Sequence, residues 1–247
     1  MCYWDSSLDL ALPDASQSCL WTPEYFGNGN GSVTTGFAAY LPAAKDCNST
    51  GATLFRDVGG NSYLYTQTKL NTISNSCYNF TVLMTPYTSN NFESYHGGVH
   101  TFVYGHMGII TCSPLDPVFW FHHSFIDYLW EKCRQIQVTD KETDYPRDSG
   151  VPAAHKFNAT MLPFLDKICI DGLSNSYIPG YYRYLPSPAN CTTHAQCGGK
   201  ALWCNNGKCT ASVRVNGRML AGWPKEACCI PGCSTPKNVN NICKCAP

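Results

Sequence analysis

Two consecutive segments place histidine on one helical face each, and this narrows what the chain can fold into. In His96-Gly-Gly-Val-His100 two imidazoles stand four residues apart, so on a helix both reach one ion from the same face. Asn90 is the expected N-cap, with Glu93 in the reciprocal capping position and Phe92, Val99, Phe102 and Val103 as the apolar positions. Gly97 and Gly98 each cost a helix about 1 kcal/mol relative to Ala, which predicts a close approach to that backbone. The next segment runs Asp116-Pro-Val-Phe-Trp-Phe-His122-His123-Ser-Phe-Ile-Asp127. Asp116 as N-cap and Pro117 at the first helical position predict a helix reaching about Arg134. On it Phe119, His123, Ile126, Asp127 and Trp130 share a face. A lone H-x-x-x-H is weak as a metal signature, and a third histidine on a well-capped neighbouring helix strengthens it. Three neutral imidazoles without Cys or carboxylate suit copper or zinc rather than calcium or magnesium.

The rest of the composition bounds the setting. A length of 247 residues allows one large domain, or one domain with a small module. The formal net charge is zero and no basic cluster occurs, so nucleic acid and anionic membranes are poor partners. No apolar run has the ~18 residues of a membrane span. Sixteen cysteines point to an oxidising compartment. Sequons at Asn30, Asn48, Asn79, Asn158 and Asn190 agree with a secreted, extracellular glycoprotein. Yet Met1-Cys-Tyr-Trp-Asp5 has neither the basic nor the apolar region of a signal peptide, so further chain upstream is expected.

Several short stretches, in order, identify a family. Tyr3-Trp4-Asp5-Ser6, Gly27-Asn-Gly-Asn-Gly31, Thr35-Gly-Phe37, Phe92-Glu93 with His96 to His100, Gly105-His-Met107, Asp116-Pro117 through Asp127, and Trp130-Glu131 resemble the tyrosinase family of type-3 copper proteins, particularly its secreted invertebrate members. The resemblance covers roughly residues 3 to 137. It implies a mainly α fold with long loops, built on a di-copper four-helix-bundle core of which this chain carries half. The second copper would be held by His96, His100 and His123, with His122 a neighbour. Phe119 would pack against the ligands or the substrate ring, Ile110 would stand at the site entrance, and Asp127 would orient histidines or cap backbone. Gly97 stands where several monophenolases carry Asn, which favours catechol oxidation over ortho-hydroxylation.

The resemblance implies copper-dependent oxidation of phenols or catechols to ortho-quinones by O2. A type-3 site needs two coppers with three histidines each. Of the seven histidines, His106, His122, His155 and His194 form no second helical triplet. His106 matches a non-ligand position in the family, and His155 reads as a surface or supporting residue. The first copper is therefore expected from an upstream segment of the same protein or a companion chain. The alternatives are a non-catalytic matrix or assembly protein that keeps the fold, and a haemocyanin-like O2 carrier.

Between the recognisable stretches, residues 63 to 73 suit helix or strand, and 78 to 84 alternate weakly. Tyr181 to Tyr184 read as packing. Residues 1–185 are expected to form the copper domain portion and 186–247 a cysteine-rich disulfide module, joined by Pro186-Ser-Pro-Ala-Asn190 as a linker. Nine of the cysteines lie from Cys191 to Cys245 without the paired C-x-x-C spacing of zinc sites. Nine is odd, so one of them should pair with the main domain, where Cys169 is near in sequence, or with another chain and so support an oligomer.

Overall fold

The computed structural model describes residues 1–42, 47, 53–60, 62, 64, 66–75, 92–136, 141–147, 149–229 and 233–246. Among them are three α-helices: α1 (Gln67–Asn75), α2 (Phe92–Val103) and α3 (Pro117–Ile136). Around these the described residues run in 3-10 turns and four two-stranded antiparallel sheets, among them β3–β4 (Thr160–Met161 with Phe164–Ile168). The ambiguous stretch at 63 to 73 thus contributes to helix α1. The expected Asn90 cap, the sequons at Asn48 and Asn79, and residues 78 to 84 lie outside the described residues.

The chain forms two compact units, each assembled from segments distant in sequence. One comprises Met1–Cys2, Gln67–His96 and Ser124–Leu185. In it Phe92 meets Trp130 edge to face, with centroids 6.3 Å apart. Arg134, 4% exposed, donates to the Leu173 carbonyl and to Asn175 Oδ1, which ties the end of α3 to the loop beyond it.

The other unit comprises Tyr3–Thr66, Gly97–His123 and Pro186–Pro247. Its short antiparallel sheet β1–β2 pairs Asn30–Ser32 with Phe55–Asp57, and Gly31 lies opposite Arg56. The cysteine-rich end folds as two hairpins, β5–β6 (Leu202–Asn205 with Lys208–Ala211) and β7–β8 (Pro236–Val239 with Ile242–Cys245). Disulfides 191–204, 197–209, 228–243 and 233–245 staple them. The ninth cysteine, Cys229, bonds to Cys19 and not to Cys169, which is a free thiol. A bond to Cys19 needs the two Cα atoms within bridging range, and they lie 5.8 Å apart.

That bond is one of several attachments. Cys19 N donates to Ser212 O at 2.8 Å, and Arg214 N donates to Gln17 O at 2.8 Å. Leu12 is buried in one cluster with Trp203, Val213, Met219 and Trp223. The segment around Pro186 is held too: Ser187 donates to Asp5 Oδ2 at 2.5 Å and is bonded to the Tyr3 hydroxyl at 3.1 Å. No helix among the described residues is long and apolar enough to cross a membrane.

Candidate metal centre

On α2, Phe92, Tyr95, Val99, Phe102 and Val103 form the buried stripe, at the three- and four-residue steps of an amphipathic helix. His96 and His100 sit one position behind this stripe and are half-buried. The helix stops at a tight reversal through Tyr104 (φ 51°) and Gly105 (φ 55°). A Cβ at Gly105 would come 2.1 Å from the Phe55 carbonyl oxygen, so only glycine fits. This turn brings the Met107 carbonyl back to His100 Nδ1 at 2.9 Å. A carbonyl only accepts, so Nδ1 carries the proton and Nε2 keeps its lone pair. That arrangement orients a metal-binding imidazole and sets its tautomer.

α3 begins at a buried ion pair. Asp116 Oδ1 accepts from Val118 N at 3.0 Å, as an N-cap does. Both Asp116 oxygens also take the Arg56 guanidinium, Nε on Oδ2 and Nη2 on Oδ1, each at 2.7 Å. Arg56 Nη1 donates to Phe26 O at 2.7 Å, and the guanidinium lies over the Trp21 ring. Both side chains are fully buried. The fork fixes where the helix starts, and so where its histidines stand.

Six residues on, His122 is fully buried and His123 half-buried. The deep stripe of α3 is Val118, His122, Phe125 and Cys133; the face through Phe119, His123, Ile126, Asp127 and Trp130 is half-buried. His123 stacks on Phe119, with centroids 3.9 Å apart and planes at 30°. Its Nε2 lies 3.2 Å from His100 Nε2. Two nitrogens each ~2.0 Å from one tetrahedral ion stand roughly 3.3 Å apart, so the pair fits a shared metal. Within the same unit the His100 ring also meets His122 edge to face, with centroids 5.2 Å apart. The donor set is all imidazole, with Glu93 Oε2 3.8 Å from His96 Nδ1 as the nearby acid. Copper suits such donors.

A family model for the common central domain of tyrosinase matches residues 1–136. The chain belongs to the tyrosinase family. It is 36% identical to the tyrosinase-like protein tyr-3 of Caenorhabditis elegans over 96% of this chain and 36% of that protein. It is 33% identical to tyrosinase-like protein 1 of Margaritifera margaritifera over 77% of this chain and 40% of that protein. A tyrosinase of Streptomyces lincolnensis is 31% identical over 74% of this chain and 68% of its own length. The chain spans about two fifths of the length of the Caenorhabditis elegans and Margaritifera margaritifera relatives. Tyrosinases are copper proteins, and the histidine group described above is where the family motif falls.

The other expected site residues are distributed as follows. Ile110 is 92% exposed. Asp127 Oδ2 accepts from the Tyr182 and Tyr184 hydroxyls at 2.8 and 2.7 Å. Burial first, and then Asp127, hold both phenols above their ordinary pKa, so they remain donors. A Cβ on Gly97 would meet nothing within 4 Å, so the close approach expected there is not found at this glycine. His106 is buried and accepts from Phe55 N at 2.8 Å; His194 accepts from Cys204 N at 3.0 Å; His155 is exposed. Asn30, Asn158 and Asn190 are exposed. Arg56 and the Met107 carbonyl were not foreseen. An arginine inside the Phe55–Asp57 strand carries no local sign of its partner, and a carbonyl carries no sequence signal at all.

Proposed function

We infer that this chain provides the second-copper half of a secreted tyrosinase or catechol oxidase, which oxidises phenols or catechols to ortho-quinones with O2. His96, His100 and His123 hold the copper. The observation that carries this reading is the pair of Nε2 atoms on His100 and His123, 3.2 Å apart, with His100 locked by Met107 O. His123 is preferred to His122 because its half-buried ring leaves a path for substrate and O2, whereas His122 is sealed. When bound, copper supplies the electron exchange between the phenol and O2. The chain's own part is to fix the imidazoles and present an apolar wall. Phe119 backs the His123 ring and meets His100 edge to face at 5.8 Å, which keeps both rings from turning. Exposed Ile110 borders the approach, and Gly97 leaves it open.

The described histidines hold one such group, so the first copper comes from an upstream segment or a companion chain, completing a four-helix bundle. Residues 1–185 are then the copper domain portion and 186–247 the cysteine-rich module. The exposed sequons at Asn30, Asn158 and Asn190 and the disulfides support an extracellular, glycosylated protein. A non-catalytic role would follow if no first site exists. The test is copper content with catechol oxidation in the protein that includes its upstream segment. Two coppers and turnover are expected; His123→Ala should lose one copper and activity, while His122→Ala should only weaken copper binding. Zero copper in the parent protein, or equal loss in both variants, rejects the assignment.

A further inference from the structure

A cavity of about 360 Å³, with no histidine in its lining, lies in the unit that holds the cysteine-rich hairpins. Three stretches distant in sequence build it: the turn from Tyr3 to Asp9, the segment from Leu20 to Phe26, and Ala201, Leu202 and Ala211 of the β5–β6 region. Phe37 and Phe121 close it. Its size is that of a small-molecule site. The bonds between residues 17–19 and 212–214, with the Cys19–Cys229 disulfide, hold the walls together, so the cavity exists only because the cysteine-rich end docks there.

The lining has a definite chemical character. Trp4, Tyr25, Phe26 and Phe121 present aromatic rings, whose faces are electron-rich. Asp5, Asp9 and Glu24 supply carboxyl groups, and no Lys, Arg or His lines the space. Lys200 and Lys225 line an adjoining groove that shares Glu24, Tyr25 and Leu202 with this cavity, and neither lysine lines the cavity itself. Asp5 is used internally, accepting from Ser7 and Ser187. Asp9 is different. It is 2% exposed, and one oxygen accepts from the Trp4 indole at 2.8 Å. Its other oxygen is buried and makes no hydrogen bond of ordinary length and angle among the described residues, with the Ser18 side chain its nearby polar group. Neither Asp9 nor Glu24 has a basic partner among them. Burial, with Ser18 and Trp4 opposing it, raises the Asp9 carboxyl to about 7. Glu24 stands at the surface beside Tyr25, whose phenol it helps to raise after burial.

An aromatic, acidic cavity without its own cation matches one ligand chemistry. We propose that this cavity binds a small arylalkyl ammonium ion, its ring among the aromatic walls and its charge toward Asp9 and Glu24. The site is separate from the histidine group and does not depend on copper. It does touch the same helix: Phe121 directly precedes His122, and its carbonyl accepts from Trp4 N at 3.1 Å.

The test is calorimetric titration of the full chain with phenethyltrimethylammonium, which has no oxidisable phenol, against the neutral ring compound 2-phenylethanol. The cation should bind saturably and at least ten-fold more tightly. Glu24→Gln should weaken it several-fold, and Ala201→Phe, filling the cavity, should abolish it while near-ultraviolet circular dichroism shows an intact fold. If Ala201→Phe does not fold, nuclear Overhauser contacts decide in the parent protein. Contacts from the N-methyl protons to the Tyr25 and Phe121 rings support the site, and their absence refutes it. No saturable binding at millimolar probe, equal affinity for the neutral compound, or unchanged binding in a folded Ala201→Phe protein each overturns the proposal.

Discussion

His100 has one nitrogen to offer a metal, because Met107 O occupies the other. Its neighbour Gly97 has no comparable restraint. A Cβ there meets open space within a helix, so Gly97→Ala should raise the unfolding free energy by about 1 kcal/mol through helix propensity. A melting temperature that falls would show that the site needs a bare backbone at this position. Asp9 makes a prediction about pH. Its carboxyl titrates near 3.8 when unfolded and about 7 when buried. Below pH 3.8 both states are protonated and Asp9 contributes nothing. As pH rises toward 7 the unfolded chain ionises first, and the native state is penalised by up to about 4 kcal/mol, constant above that. The parent protein should therefore lose stability between pH 4 and 7 relative to Asp9→Asn. Parallel denaturant midpoints across that range would contradict the assignment.

At the level of elements, α3 depends on β2. Asp116 and Pro117 make the start of this helix legible locally, and it does begin at Pro117. What holds the cap in place is Arg56, sixty residues away in sequence, and no periodicity reveals such a pairing. Removing one member leaves an unpaired buried charge. Arg56→Met should cost about 3–5 kcal/mol in urea unfolding and weaken copper binding, since the histidines follow within two turns. A loss below about 1 kcal/mol would mean that the pair is replaceable by apolar packing. α1 was ambiguous for a different reason: Thr68, Thr72 and Ile73 are β-branched and suit either helix or strand.

Across the whole chain, the cysteine-rich end is bound to the first residues by Leu12, by backbone bonds and by Cys19–Cys229. This disulfide closes a separation of 210 residues. Replacing both cysteines by serine should cost about 2–5 kcal/mol. The same change should expose the Trp203–Trp223 pair, whose centroids are 4.7 Å apart, as a red shift in fluorescence. An unchanged emission maximum and melting temperature would show that the backbone bonds suffice.

Spacing and residue type alone determined the two histidine helices, the cap of the second, and a disulfide-rich end with one cysteine left over for a bond outside it. Each is a local pattern, or a parity, and survives without coordinates. Tertiary structure decided which distant groups meet: Arg56 with Asp116, Met107 O with His100, Asp127 with two tyrosines, and Cys19 rather than Cys169 with Cys229. It also decided that a turn of the first residues and a hairpin of the last enclose an acidic aromatic cavity. Such meetings depend on where loops return in space, and helix and strand periods carry no record of that.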